Sequence, residues 1–309
     1  MTDIEWVLNP DGSRGITVNS KSGCLNHTPE GLCLGGLFPC YAWKLAHSRL
    51  KQRYLANSLV ACDYEGGESG SDAELKAAFA DPFYPRFWEE RLEKIRKLKK
   101  PTGIFLDDMS DWMGEYWPKE WTEMELQVMR DCPQHRFYTL TKQPQNLPGF
   151  SPLPENCWVG VTATNTDMAV SGLTSLSEIE AKVKYISFEP LLSWIPLTAN
   201  ALSDIHLVII GACTGSWDEM ANLCMKHTNS LCNYQGLKLE QWGKKWTAQP
   251  RIEWLREIVG AADKAGIKVF LKDNLRPLLI PEDCSKPNYL TEDIFWASEK
   301  AQLRQEMPL

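Results

Sequence analysis

The chain has 309 residues, 43% of them hydrophobic and 24% charged, and its 33 Lys and Arg against 40 Asp and Glu leave a net charge of −7. That balance describes a globular protein, excludes a disordered chain, and gives no overall attraction to nucleic acid. No apolar run approaches the roughly 18 residues that read as a membrane span. The start MTDIEWVLNPDG lacks the basic and apolar parts of a secretory leader, so a cytoplasmic protein is expected.

The first strand is expected at GITVNS (15–20), and directly after it GCLNHTPEGLCLGGLFPCYAW sets Cys24, Cys33 and Cys40 in the spacing C-x8-C-x6-C. Ten cysteines are many for a reducing compartment, where disulfides are rare, and a clustered set there points to metal ligation. The spacing fits neither the paired C-x2-C of a zinc ribbon nor an obvious disulfide framework. Zinc on three thiolates needs a fourth ligand, which His27 or His47 would supply. An iron–sulfur cluster on three thiolates leaves one iron open.

A second strand is expected at NSLVACD (57–63), then a Gly/Ser-rich loop and short helix over 64–82. RLEKIRKLKK (Arg91 to Lys100) is the densest basic run and reads as the solvated face of a helix. Six apolar runs follow: GIFLDD (103–108), RFYTLTK (136–142), CWVGVTAT (157–164), KYISFEP (184–190), HLVIIGA (206–212) and KVFLKD (268–273). Continuous apolar runs of this length suit strands buried on both faces of a parallel sheet. Helices are expected between them at WTEMELQVMRDC (121–132), SLSEIEAKV (175–183) and IEWLREIVGAADKAG (252–266), the last ending on Gly266. Alternation of this kind gives an α/β fold, a full or partial (β/α) barrel. No G-x-G-x-x-G follows the first strand, which removes support for a dinucleotide fold. The expected organisation is one domain over 1–280, with the cysteine loop at 23–41, an insertion at 213–250, and a tail over 281–309.

In a parallel barrel the chemistry gathers where strands end. Here the ends read Asp107-Asp108 with Ser110-Asp111, Thr141-Lys142, Thr162 with Asn165, Glu189, Cys213-Thr214 and Lys272-Asp273. Each alone suits a cap or turn; together they suit a polar cavity holding both acids and lysines, on the face where the three-cysteine loop lies. A second cysteine group, Cys213, Cys224 and Cys232 with His227 between them, is a candidate second metal site, although C-x10-C-x2-H-x4-C matches no established motif. Cys62, Cys132, Cys157 and Cys284 read as ordinary buried thiols.

A three-cysteine loop after strand one of a (β/α) barrel resembles the radical S-adenosylmethionine (SAM) superfamily. PCYAWKLA, FLDDMSDWMGEYWPKEW (105–121), HRFYTLTKQPQNL (135–147), ENCWVGVTATN (155–165) and KYISFEPLL (184–192) look like a phage-associated branch of it, distantly similar to spore photoproduct lyases. The resemblance runs over about residues 5–275. It implies a [4Fe–4S] cluster on Cys24, Cys33 and Cys40, with SAM chelating the fourth iron and cleaved by an injected electron to a 5′-deoxyadenosyl radical. It further implies Tyr41 near the adenine, and Ser110, Thr141, Lys142, Asn165 and Glu189 in contact with SAM or substrate. Both cysteine intervals are longer than the superfamily's C-x3-C-x2-C, which bears most on Cys33. A Gly-Gly-Glu-like segment after strand two holds the SAM amino group in many members, and Gly66-Gly67-Glu68 has those letters.

The function that follows is a radical SAM enzyme that abstracts hydrogen from a small-molecule or peptide substrate and takes electrons from a donor such as flavodoxin or ferredoxin. One rival is a zinc- or cluster-stabilised binding module without turnover. Another is a cluster-free barrel hydrolase using Asp107, Glu189 and Lys272, which leaves the cysteine loop unexplained. Neither a nucleic-acid partner nor a membrane is expected.

Overall fold

In a computed structural model, which describes residues 1–63, 71–226, 236–279, 295 and 303–308, main-chain packing divides the chain into two units. The first comprises Met1–Gly160 with Glu178–Lys182, the second Val161–Ser177 with Val183–Leu309.

In the first unit, β1 (Ile16–Val18) leads through β2 (Lys21–Ser22) into the cysteine segment, where β3 (Leu32–Cys33) and β4 (Phe38–Pro39) pair as a hairpin. Cys40 opens α1 (Tyr41–His47), and α2 (Lys51–Leu55) follows. The short helix expected before residue 82 is α3 (Asp72–Ala80), started by a reciprocal pair of bonds between Ser71 and Glu74. β5 (Arg86–Phe87) runs antiparallel to β2 and fixes the base of the cysteine segment. Then come α4 (Glu89–Arg96), β6 (Gly103–Leu106), α5 (Lys119–Asp131), β7 (Arg136–Thr141) and β8 (Cys157–Thr162), whose last residues belong to the second unit. α5 forms where apolar residues recur at helical spacing, and it buries Trp121, Leu126 and Met129.

Two expectations fail here. Residues 57–63 are not a strand: Val60 makes an isolated bridge to Arg86, and Ala61–Asp63 is a single 3₁₀ turn. The wholly buried Arg86 guanidinium takes the Asn57 carbonyl at 3.1 Å and Ala78, Asp81 and Tyr84 carbonyls besides, so main-chain groups that a sheet ladder would use serve a cation. Nor is the basic run wholly solvated, because Arg91 turns inward, 4.0 Å over the Trp88 ring.

The second unit holds α6 (Thr166–Ser177), β9 (Val183–Phe188), β10 (Leu207–Ile210), β11 (Cys213–Gly215), α7 (Trp217–Lys226), β12 (Lys238–Trp242), β13 (Lys245–Gln249), α8 (Ile252–Ala265), β14 (Lys268–Leu271) and α9 (Arg276–Leu279). α8 ends on Gly266 at φ 71°, the left-handed conformation that glycine tolerates, as expected. The helix expected at 175–183 instead begins at Thr166, because Asn165 accepts the Met168 N–H at 3.0 Å and so caps the helix earlier. The described residues of the 213–250 segment hold a small antiparallel sheet, β11-β13-β12, with α7.

The seven-stranded sheet has the order β1-β6-β7-β8-β9-β10-β14, which follows the chain without reversal. β1 pairs with β6, β6 with β7, β9 with β10, and β10 with β14, all parallel. An α/β chain wound in this sequence has the connectivity of a (β/α) barrel, not of a doubly wound sheet with its switch in strand order. Among the described residues no helix is long and apolar enough to cross a membrane.

Candidate functional site

The cysteine segment begins on a buried anchor. Lys21 N–H donates to Asp107 Oδ1 at 2.8 Å, and Lys21 Nζ reaches Glu125 and Thr122, which pins the end of β2 to β6 and α5. Gly23 follows at φ 89°, where a Cβ would lie 2.5 Å from the Phe83 and Tyr84 carbonyl oxygens, so only glycine fits. Cys24 N–H then bonds Phe83 O at 3.0 Å. Gly31 allows a second close approach: its φ is 80°, and a Cβ there would meet the Trp43 ring at 2.4 Å. Cys33 lies in the β3–β4 hairpin, and Cys40 N–H returns to Gly31 O at 2.9 Å. By these steps the long intervals fold back on themselves.

The three thiols, none in a disulfide, lie within reach of one another's charge and of Lys142. Each accepts a main-chain N–H: Cys24 Sγ from Asn26 at 3.3 Å, Cys33 from Gly35, and Cys40 Sγ from Trp43 at 3.5 Å. Burial pushes the Cys24 thiol up to about 12, with the Asp111 carboxylate adding to the rise. Burial also raises the Cys33 thiol, against the pull of Lys142. Burial lowers the affinity of Lys142 for its proton, but Cys33, Asp111, Cys40 and Cys24 outweigh it and hold the ammonium above its ordinary value. Among the described residues no three His, Cys, Asp or Glu side chains gather on a point that would hold a single metal ion. His47 stacks on Trp43 with ring centroids 4.0 Å apart, and its two nitrogens face Trp43 O and Asp81, so it does not complete a zinc shell. His27 Nδ1 lies 2.7 Å from Thr28 O.

Asp111 organises the strand end beside the thiols. It accepts from the Thr141 hydroxyl and, at 2.9 Å, from Lys142 N–H; Thr141 is buried, and its hydroxyl also accepts Gln143 N–H at 2.9 Å. Ser110 bridges Gly23, one residue before Cys24. Tyr41 is exposed at the start of α1 and its hydroxyl donates to Asp108 O. Asp107 differs from expectation: it is buried in the Lys21–Glu125 network and is no free strand-end acid. The sequence reading missed Tyr116, whose hydroxyl is buried against the Cys24 thiol and the Leu25 main chain. The block FLDDMSDWMGEYW contained it, but nothing in its spacing singled it out. Asp108 Oδ1 is buried without a partner among the described residues, and burial raises that carboxyl against the pull of a hydrogen bond from Asn19. Gly66, Gly67 and Glu68 lie outside the described residues, and the second strand of the parallel sheet is β6, followed by Asp107-Asp108.

In the second unit the expected residues divide. The Asn165 side chain is a helix cap, as noted above. Glu189 pairs with Lys272 across Gly211, a row set by the register of β9, β10 and β14. A Cβ on Gly211 would stand 3.1 Å from Lys272 Cδ and 3.2 Å from Glu189 Cγ, so the glycine makes room for the pair. Asn274 locks this end by exchanging hydrogen bonds with Ala212 N–H and O at 3.1 and 2.8 Å. Cys213 is buried, which pushes its thiol up to about 12, and Cys224 is half-buried at about 11. His227 and Cys232, the other members of the candidate second metal site, lie outside the described residues.

Solved structures of spore photoproduct lyase are similar at low identity. The lyase complexed with dinucleoside spore photoproduct is 10% identical, with a TM-score of 0.47 over 86% of this chain and 78% of that one. A variant with bound AdoMet and dinucleoside spore photoproduct is 11% identical, with a TM-score of 0.44 over 89% and 76%. No curated protein sequence matches the chain. A family model described as "Protein of unknown function (DUF5131)" matches residues 1–276, and the chain belongs to that family.

Proposed function

We propose that the chain is a radical SAM enzyme in which Cys24, Cys33 and Cys40 hold a [4Fe–4S] cluster. The observation that carries this reading is a set of three undisulfided thiols on one loop, each taking a main-chain N–H and all within electrostatic reach of one lysine. N–H bonds to sulfur stabilise the thiolate and tune the potential of a bound cluster.

When bound, such a cluster with one open iron supplies the electron that breaks a C–S bond of SAM, giving methionine and a 5′-deoxyadenosyl radical. The chain's own residues do the rest. Lys142 offsets the negative charge of three thiolates, and Asp111 holds Lys142 in place. Tyr41 and Ser110 flank the loop from α1 and from the end of β6, where they would meet the nucleoside and amino-acid parts of SAM. The buried Tyr116 hydroxyl, beside Cys24, and Asp108 Oδ1 supply a donor and an acceptor there. The substrate is a small molecule or peptide.

The test is anaerobic reconstitution with iron and sulfide, then addition of SAM and dithionite. The proposal expects 5′-deoxyadenosine from the wild type and none from Cys24→Ala, Cys33→Ala or Cys40→Ala. Zinc in place of iron, with no deoxyadenosine, overturns it. A Cys33→Ala variant that keeps its cluster shows that another cysteine is the ligand.

A further inference from the structure

β14 is the last strand in the order of the seven-stranded sheet, so β10 pairs with one of its flanks and leaves the main-chain groups of the other unpaired within that sheet. Residues 304–306 take this outer flank. Gln305 bridges Phe270 antiparallel, Leu271 N–H donates to Arg304 O at 2.8 Å, and Glu306 N–H donates to Val269 O at 2.9 Å. These are the bonds of an antiparallel ladder, laid on the edge of a sheet whose strands were expected to run parallel.

Side chains extend the ladder. Glu306 Oε2 accepts Val269 N–H at 3.1 Å, and Gln305 Nε2 donates to Leu271 O at 3.1 Å. Arg304 Nη1 lies 2.7 Å from Asp263 Oδ1 on α8, and its Nη2 lies 3.0 Å from Glu306 Oε2. Leu303, just before them, is buried. Each of these residues thus adds something that main-chain pairing alone does not require: an apolar anchor, a cation on α8, and an amide and a carboxylate on the main chain of β14. A strand held in this way is recognised by its sequence as well as by its extended shape. It lies beyond residue 276, where the match to the family model ends.

We infer that the outer flank of β14 is a strand-addition edge for an extended peptide of the pattern Leu-Arg-Gln-Glu, that residues 303–306 are its resident occupant, and that the seated strand steadies the Glu189–Lys272 pair. Main-chain bonds give such an edge its grip, and side-chain contacts give it selectivity. Among the described residues two main-chain bonds hold the strand to β14. A chain end held by so few bonds opens locally before the domain unfolds, which makes the occupant exchangeable. The link to the strand end follows from position. The strand holds both the N–H and the carbonyl of Leu271, the residue before Lys272, whose ammonium pairs with Glu189. None of these contacts involves the cysteine loop.

The experiment uses the full chain with Glu306→Pro, which removes one ladder N–H and the carboxylate that serves both Val269 and Arg304. Wild type and variant are compared by amide hydrogen exchange, by binding of a synthetic peptide LRQEMP (residues 303–308), and by acylation of Lys272 read by mass spectrometry. Exchange at Val269 and Leu271 is expected to speed up about tenfold or more in the variant. The β10 amides should stay within about twofold, which shows that the domain is folded. The peptide should bind the variant saturably and the wild type about tenfold or more weakly, because the tethered strand competes for the edge. A scrambled peptide should bind neither. Lys272 should be acylated severalfold faster in the variant, and the peptide should reverse this. Arg304→Ala, which keeps the ladder, should move every reading in the same direction by less, and it decides the matter if Glu306→Pro does not fold. Unchanged exchange at Leu271 overturns the inference, as does peptide binding that is absent from the variant or equal in the two proteins. A variant that dimerises and ignores the peptide assigns the edge to a second copy of the chain instead. Acylation of Lys272 that responds to neither variant nor peptide overturns the link to the strand end.

Discussion

Lys21 Nζ lies 2.9 Å from Glu125 Oε2 with both side chains fully removed from solvent, three residues before the first cysteine of the loop. Glu125 also accepts from Ser20 and the Trp112 indole, so one carboxylate on α5 ties together β2 and the segment after β6. Removing one member of a buried pair strands the other charge. Glu125→Gln is therefore expected to lower stability by about 3–5 kcal/mol in urea denaturation. Lys21→Met/Glu125→Leu, which removes both charges, should recover much of that loss. A loss in the double variant equal to that of Glu125→Gln would show that the pair's charges are not what matters.

Asp107 sits against the same pair, and burial together with the Glu125 charge raises its carboxyl well above the ordinary 3.8. The native state thus keeps a proton that the unfolded chain has already lost, and stability falls as pH rises above about 4. Asp107→Asn carries no such proton, so its stability should decline less steeply between pH 5 and about 8 than that of the wild type. Parallel pH profiles for the two proteins in urea would contradict the assignment.

Gly23 is the residue on which the loop turns. Gly23→Ala places a Cβ against two main-chain carbonyls at 2.5 Å and forces a positive φ on alanine. The expected cost is about 2 kcal/mol or more, with reduced iron uptake on reconstitution. Gly12, at φ 83° with open space around it, serves as control: Gly12→Ala meets the backbone strain alone and should leave iron uptake unchanged.

At the end of the second unit's strands, Lys272→Met leaves Glu189 unpaired in a setting that is only partly open to water, at 15% and 25% side-chain exposure. A loss of about 2 kcal/mol is expected, intermediate between surface and buried pairs. Glu189→Gln/Lys272→Met should lose less than Lys272→Met alone, as measured by thermal or urea unfolding. Additive losses would mean that the two side chains do not act as a pair.

The parallel strands were legible because each is a short apolar run bounded by polar residues, and β6, β7, β8, β9, β10 and β14 fall where those runs lie. Alternation of strands and helices was enough for the α/β class. The helix at Thr166–Ser177 was harder to read, since its residues are small and polar and its start depends on one asparagine cap. Residues 57–63 resemble a strand in composition, yet the Arg86 cation claims the Asn57 carbonyl. Such a long-range pairing leaves no local pattern. The same holds for the site. The three cysteines and Lys142 announced themselves by residue type and by their place after strands. Tyr116, the Lys21–Glu125 anchor and the Glu189–Gly211–Lys272 row depend on register between distant segments.

The central claim is that three thiolates leave one iron open for SAM, and electron paramagnetic resonance of the reduced, reconstituted protein tests it most directly. The account predicts about four irons per chain and the signal of a reduced [4Fe–4S] cluster, with g-values that shift when SAM is added. A spectrum indifferent to SAM, or a protein that takes up zinc and no iron, would contradict it.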